Sequence, residues 1–275
     1  MLYRSSLISF DFKHNTDERI RQEIGMEFIP SEGQVQVVRQ MISAILLPEL
    51  VDVIIDSARY WARLHVKRQG KGTANARLHR GMSATICYLV TPRIPPQARL
   101  RAVLFLIKSN DQGWFPPPPP DAPVLDSSGF KSAWSWFEAM IIRQSDEYPN
   151  TPHWLKDATT RPVPVSGVSR DGAELTEQEK AAEDAVQVGP SPKRWYLTSN
   201  IQAQIFDSEH SVFWLHDSEA KGNVDKNSPW GRRGLGKEFV HLLKPGDRIA
   251  LLARARYTGW ENCVKCAAVE VFYSV

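Results

Sequence analysis

Features of secreted and membrane proteins are scarce in this sequence. It has three cysteines, Cys87, Cys263 and Cys266, an odd number that is too small and too scattered for a disulfide framework. The N-terminus lacks the apolar core of about 7–15 residues that marks a secretory signal, and no apolar run approaches the ~20 residues that span a bilayer. No Asn-x-Ser/Thr glycosylation site is present. We therefore expect a protein of the cytoplasm or nucleus, with no membrane partner.

An excess of one charge sign is also lacking. The formal net charge is +3, and basic and acidic residues are interleaved along the chain. Nucleic-acid-binding proteins usually gather Lys and Arg on one surface, so we expect no nucleic-acid partner. Hydrophobic residues make up 42% of the sequence, and tryptophan is unusually frequent, with nine copies. In a chain of 275 residues, this content is sufficient for one large core or two smaller ones.

The N-terminal part of the chain has helical periodicity. From Gln34 to about Lys67, apolar residues recur at spacings of three and four, and Pro48 divides this pattern into two helices. The following stretch, Gly70–Gly81, is polar, basic and glycine-bearing, which is typical of a linker or an exposed loop. We therefore predict a helical segment and linker over residues 1–81 and a separate domain over residues 82–275.

Beyond residue 82 the hydrophobic period becomes that of strands. β-Branched and aromatic runs are separated by turn signals such as that of residues 244–247 (KPGD), and there is no βαβ alternation. This pattern predicts a mainly β protein: an antiparallel β-sandwich or jelly roll preceded by the short helical segment. Residues 157–192 are rich in Pro, Gly, Ser and charge, and predict a flexible insertion. The predicted strands are Ser83–Thr91, Leu100–Ser109, Ala133–Arg143, Arg194–Phe206, His210–His216, Arg248–Tyr257 and Cys263–Val275.

Several segments resemble known proteins. LPELV at residues 47–51, with two isoleucines at 54–55, resembles the opening of an F-box, the helical module that docks on ubiquitin-ligase adaptors. Three later segments resemble a group of uncharacterised fungal intracellular proteins, in which a short F-box-like helix precedes a β-sandwich. They are IKSNDQGW, ending at Trp114, WSWFEA, ending at Ala139, and LKPGDRIALLARARYTGW, ending at Trp260.

The resemblance implies two kinds of partner. An F-box-like helix implies a protein partner bound through residues 45–65. The sandwich is also broadly similar to the sugar-binding domains of some F-box proteins, where a jelly roll ends in an aromatic-bearing strand pair. This likeness implies a glycan or another small-molecule ligand, and it concerns architecture alone.

The first candidate site follows the second predicted strand. Asp111 and Gln112 offer directional hydrogen bonds, and Trp114 offers a face on which a ligand can stack. On another predicted strand, alternation places Trp134, Trp136 and Glu138 on one face, which could complete the same surface. The alternative is that Trp134 and Trp136 fill the core.

The second candidate site is the polar face of the strand Arg248–Tyr257. Arg254 and Arg256 lie on this face together with Arg248, and Trp260 and Asn262 follow at the next turn. An arginine stacked on an aromatic ring can hold a carboxylate, a sugar or a peptide acid. The alternative is a solvated sheet edge whose charges prevent aggregation.

Signatures of metal and cofactor chemistry are missing. Cys263 and Cys266 have the CxxC spacing of zinc sites, but no second Cys/His pair supplies the remaining ligands. His210 and His216 would lie about 20 Å apart on one face of a strand, which leaves only single-residue action, with His210 as a lone proton donor. We expect no metal and no cofactor.

Two functions of different classes fit these features. The first is an intracellular ligand-binding protein for a glycan, small molecule or peptide. The second is a cofactor-independent cyclase or isomerase of fungal secondary metabolism, which would use Asp111, Glu138 or His210 as acid or base in a Trp-lined pocket. A binding protein predicts a shallow groove, whereas a cyclase predicts a closed, mostly apolar cavity of roughly 300–1,000 Å³.

Overall fold

The computed structural model describes residues 28–76, 83–113, 134–143, 153–164, 193–201, 206–216, 224–225, 233–236, 238–257 and 259–275. The chain divides into two compact units, residues 1–62 and 63–275. The first unit is helical where it is described, and the second is built mainly of strands. The division thus falls earlier in the chain than the predicted boundary at residue 81.

The helical unit contains α1 (Glu32–Ser43) and α2 (Pro48–Ser57). α1 begins at a capping box, in which the Ser31 hydroxyl accepts a hydrogen bond from the Gln34 N–H at 3.3 Å and the Gln34 side chain accepts one from the Ser31 N–H at 2.8 Å. Pro48 occupies the first turn of α2, where its missing N–H costs no helical hydrogen bond. The predicted pair of helices divided at Pro48 is therefore confirmed.

The second unit is a sandwich of two antiparallel sheets, which confirms the predicted fold class. Its strands are β1 (Ala62–Asn75), β2 (Ser83–Val90), β3 (Arg99–Asp111), β4 (Ser135–Ile142), β5 (Val163–Pro164), β6 (Arg194–Ser199), β7 (Ser208–Leu215), β8 (Val224–Asp225), β9 (Arg233–Gly234), β10 (Arg248–Arg256) and β11 (Glu261–Ser274). The four-stranded sheet has the order β1-β11-β3-β7, and the seven-stranded sheet has the order β5-β2-β10-β4-β6-β9-β8. Each sheet therefore joins segments that are distant in sequence.

The main core lies between the inner faces of the two sheets. The central strands β3 and β10 are buried along most of their length. Phe105 of β3 packs edge-on against Trp214 of β7 and against Phe239 of the short helix α4 (Phe239–Leu242), with ring centroids 5.1 and 6.1 Å away. Aromatic pairs of this geometry add about 0.5–1.5 kcal/mol each beyond the burial of their area.

A second apolar cluster lies on the outer face of the seven-stranded sheet. Leu155 and Ala158 of the helix α3 (His153–Ala158), together with Val163 of β5, cover this part of the face. The sheet contributes Cys87, Val90, Met140, Ile142, Ala250 and Leu252. Strand β10 is therefore buried on both faces at its centre, and it has a neighbouring strand on each side. The alternative in which its arginines protect a sheet edge is wrong.

The turn before β10 agrees with the sequence. Asp247 donates its N–H to the carbonyl of Lys244 at 3.1 Å, and Gly246 has a φ of 86°. Pro245 restricts its own φ to the range that the first central position of such a turn requires, and glycine adopts the positive φ of the second without strain. The predicted turn is confirmed.

The region just before residue 81 differs from the prediction. Residues 62–75 form β1, which lies beside β11, so the helical pattern does not continue to Lys67. Gly70–Asn75 is likewise strand rather than linker, and residues 77–81 lie outside the described residues. In retrospect, Ala62, Leu64 and Val66 alternate with polar residues at the two-residue period of a strand. In the sequence, this short run directly follows a helical pattern and fits either a helix or a strand. Only its pairing with β11 shows that it forms a strand.

The first residues of the predicted insertion at 157–192 include regular structure. Its first residues belong to α3 and β5, which cover the outer apolar cluster. Residues 165–192 lie outside the described residues, as does the DQGW tryptophan, Trp114.

Candidate ligand-binding site

Five side chains from three adjacent strands meet on the outer face of the seven-stranded sheet, beside the second apolar cluster. We call this group the Glu138 cluster; its members are Trp136, Glu138, Arg194, Tyr196 and Arg254. Residues directly opposite each other on antiparallel strands project to the same face. On β10, Arg254 lies opposite Trp136, while on β6, Tyr196 lies opposite Glu138 and Arg194 lies opposite Met140. Glu138 is therefore midway between the two arginines.

The Glu138 carboxylate holds the cluster together. Its Oε1 accepts a hydrogen bond from Trp136 Nε1 at 2.8 Å and another from Arg254 Nη1 at 3.0 Å. Arg194 Nη1 lies 3.7 Å from Oε2 and forms a second ion pair. The guanidinium of Arg254 also stacks on the Trp136 ring, 5.0 Å from its centroid. Charge-assisted hydrogen bonds and this stacking fix the plane of Arg254.

The cluster is half-buried and carries more positive than negative charge. The side chains of Arg194, Arg254 and Glu138 are 23%, 22% and 11% exposed. Burial lowers the pKa of Arg194; the Glu138 carboxylate opposes this shift, and the charge of Arg254 adds to it. Within the described residues, the buried Nε atoms of both arginines have no hydrogen-bond partner. Two buried donors of partly exposed side chains thus have no acceptor in this part of the chain.

Asp111 does not lie beside Glu138, contrary to the predicted joint surface. Asp111 of β3 is buried and lies directly opposite Asn262 of β11. Both side chains are on the face of their sheet that is turned toward the seven-stranded sheet. Its Oδ1 accepts the Gly113 N–H at 2.9 Å, while Gln112 accepts a hydrogen bond from the N–H of Glu261 at 3.4 Å. The carboxylates of Asp111 and Glu138 are therefore on opposite sides of the seven-stranded sheet. They cannot act on one substrate as an acid and a base.

Asn262 links the two sheets and supports the cluster from behind. Its Nδ2 donates to the carbonyls of Trp136 at 2.9 Å and Arg254 at 3.2 Å. Its Oδ1 accepts a hydrogen bond from Asn200 at 3.1 Å, and Asn200 in turn accepts one from the hydroxyl of Ser109 at 2.6 Å. Asn262 is thus a buried structural residue rather than a ligand contact.

The remaining members of the second candidate site separate from one another. Arg256 stacks on Tyr257, 5.2 Å from its ring centroid, and Trp134 packs edge-on against the same ring at 4.7 Å. Trp134 is 41% exposed, so it does not fill the core. Trp260 is buried, and its carbonyl accepts a hydrogen bond from Ala76 at 3.1 Å. Of this set, Arg254 contacts the side chains of both Trp136 and Glu138.

His210 of β7 is half-buried and lies on the other sheet from the Glu138 cluster. Its ring centroid is 6.2 Å from that of Phe137, and within the described residues its buried Nε2 has no hydrogen-bond partner. Burial, and then the charge of Arg233, lower the pKa of His210 to about 4. The imidazole is neutral at neutral pH and therefore poorly suited to donate a proton there. His216 instead contacts His241, with ring nitrogens 3.2 Å apart.

Sequence analysis missed Arg194 and Tyr196. Both fall on one face of β6 by simple alternation, and this signal was present in the run RWYLTS. Alternation does not say which strand lies alongside, so their place beside Glu138 follows only from the pairing of β4 with β6.

Within the described ranges, no three His, Cys, Asp or Glu side chains are grouped so that they could hold a metal ion. None of the helices in those same ranges is both long enough and apolar enough to cross a membrane. No protein-family model matches the chain, and no curated protein matches its sequence.

Proposed function

We propose that this protein binds a small molecule, glycan or peptide at the Glu138 cluster. One observation carries the proposal: two arginines, each less than a quarter exposed, contain buried Nε–H donors that have no partner within the described residues. An unpaired buried donor costs about 1–3 kcal/mol, which a ligand acceptor would recover. The stack of Arg254 on Trp136 fixes one of these donors in advance, so little ordering is required when the ligand binds.

Binding fits the geometry better than acid–base catalysis does. A cyclase or isomerase would need an acid or base facing an enclosed substrate. Asp111 faces the interior between the sheets, His210 is neutral at neutral pH, and Glu138 accepts two hydrogen bonds on Oε1 and pairs with Arg194 through Oε2. The three proposed catalytic side chains do not share one site.

Native mass spectrometry of the protein purified from its own host tests this proposal. We expect the wild type to retain a small molecule and Arg254→Met to lose it, because the variant lacks the fixed guanidinium. Arg99→Met is the matched control, since Arg99 is exposed on the other sheet. Melting temperatures of all three proteins establish that they are folded.

Two results would contradict ligand binding at the cluster. One is a retained molecule that Arg254→Met keeps as tightly as the wild type. The other is a bare chain in every sample, together with no ligand-dependent rise in melting temperature across small molecules, glycans and acidic peptides.

We propose as a second function that the helical unit docks a protein partner, as an F-box-like adaptor. The supporting observation is its exposed apolar side chains: Ile45 is 83%, Leu47 68% and Leu50 49% exposed. Exposed apolar groups that adjoin one another mark interaction surfaces. Residues 62–65 belong to β1, so the proposed contact narrows to residues 45–57 of the predicted 45–65.

Binding to a purified F-box-binding adaptor of ubiquitin ligases tests the second function. We expect the double variant Ile45→Asp/Leu50→Asp to bind at least about tenfold more weakly than the wild type, because central apolar contacts dominate such interfaces. Gln36→Asp/Gln40→Asp, which adds the same two negative charges at exposed positions of α1, should bind normally. Absence of binding by the wild type would exclude adaptor docking.

A further inference from the structure

We infer that the ligand of the Glu138 cluster is an organic carboxylate, held by the guanidinium groups of Arg194 and Arg254. This inference rests on the proposed ligand-binding function and narrows it to one chemical class. Three features of the cluster support it: its charge balance, the direction of its unpaired donors and its aromatic surroundings.

The charge balance of the cluster favours a monoanion. Arg194 and Arg254 both pair with Glu138, which leaves one positive charge in excess among these three side chains. Excess charge in a half-buried site is costly unless a counter-charge accompanies it. A carboxylate supplies one negative charge. A phosphate group, with about −1.5 to −2 at neutral pH, would exceed the need and be repelled by Glu138.

The donor geometry favours a planar acceptor. Each arginine uses Nη1 toward Glu138, and the buried Nε of each has no partner within the described residues. A guanidinium binds a carboxylate through two parallel N–H groups on one edge, and the edge that contains Nε remains for this purpose. The stack on the Trp136 ring fixes the plane of the Arg254 guanidinium, and the orientation of its Nε edge is fixed with it.

The two arginines approach Glu138 from both sides. Arg254 lies opposite Trp136, and Arg194 lies opposite Met140, four residues further along β4. Four residues of strand span about 13 Å, which long arginine side chains bridge as they converge on the residue midway. Tyr196 lies opposite that same residue and provides an aromatic surface for the body of an acid.

Titrations monitored by NMR of the indole and guanidinium N–H groups test the inference. The probes are two matched pairs, benzoate with benzamide and glucuronate with glucose, and inorganic phosphate alone. We expect the acids to shift the signals of Trp136 Nε1–H and Arg254 Nε–H saturably, with a Kd at least tenfold below that of the neutral partners and of phosphate. The Trp136 signal is assigned by its loss in Trp136→Phe.

Variants establish where the acids bind. Arg194→Met and Arg254→Lys should each weaken binding of the acids at least tenfold; Arg254→Lys keeps the charge and removes the planar edge. Arg99→Met should leave binding unchanged. If Arg194→Met fails to fold, as judged from its melting temperature, Arg254→Lys alone decides the question.

The outcomes separate this inference from the proposed function. Equal binding of acid and neutral partners, or tighter binding of phosphate, would overturn the carboxylate class and leave ligand binding at the cluster intact. Acid binding that both arginine variants preserve would place the ligand elsewhere and overturn both proposals. If no probe shifts any signal of the cluster, the carboxylate inference and the proposed binding function are both wrong.

Discussion

Glu138 and His210 show how one sandwich treats two ionisable side chains differently. Glu138 is buried, but three donor side chains lie beside its carboxylate. They are Trp136 on its own strand, Arg254 on β10 and Arg194 on β6. His210 lies between the sheets, where Phe137 is its aromatic neighbour and its Nε2 has no partner within the described residues. Donors near a buried carboxylate offset part of the cost of its burial, whereas burial without such partners lowers the pKa of the His210 imidazole. This difference agrees with the proposed binding role of Glu138 and with a structural position for His210.

The pH dependence of stability follows from His210. Its pKa in the folded protein is about 4, below the 6.5 of the unfolded chain. Between these values the unfolded chain binds a proton that the folded protein does not, so stability is lost as the pH falls from about 6.5 toward 4. The loss should be on the order of 2–3 kcal/mol.

Urea unfolding between pH 7 and 4.5 measures this loss. His210→Leu should flatten the slope over that range, because it removes the titrating group. His241→Leu, the same substitution at an exposed histidine, should retain the slope of the wild type. An unchanged slope in His210→Leu would show that other groups cause the dependence.

At the scale of secondary-structure elements, hydrogen bonds between strands of different sheets position the site. Strand β11 belongs to the four-stranded sheet, but its Asn262 bonds the carbonyls of Trp136 on β4 and Arg254 on β10. The same two residues carry the stacked pair on the outer face. The buried asparagine therefore fixes the backbone from which the site projects.

Replacement of Asn262 tests this role. We expect Asn262→Ala to reduce the free energy of unfolding by about 2–4 kcal/mol, because it leaves a donor of Asn200 and two carbonyls with fewer partners in the interior. Urea unfolding at neutral pH measures this change.

Asn110→Ala is the matched control for that measurement. Among the residues that the structure describes, the Asn110 side chain donates only to the adjacent carbonyl of Asp111, at 2.7 Å, so we expect a cost below about 1 kcal/mol. Similar losses in the two variants would show that Asn262 contributes no special link between the sheets.

At the scale of the whole molecule, two units offer two different surfaces. The sandwich presents a half-buried, charged and aromatic cluster, which suits a small ligand. The helical unit presents apolar side chains such as Ile45 and Leu47, which suit a protein surface. Binding of a ligand and docking of a partner are therefore compatible proposals for one chain.

The sequence by itself determined the fold class and most of the strands. Two-residue alternation identified the strand that contains Trp136 and Glu138, and the Pro-Gly pair identified the turn before β10. These features are local, because side-chain alternation and the preferred φ of proline and glycine depend on a few neighbouring residues. The same locality explains the error over residues 62–67, where a short apolar run fitted either period.

Only the tertiary structure decided which polar residues share a site. Asp111 and Glu138 were predicted to meet, but they project to opposite sides of the seven-stranded sheet. Arg194 joins Glu138 from a strand more than fifty residues away in the chain. The order of strands within a sheet depends on how distant segments bury their apolar faces together, and no local pattern encodes that choice.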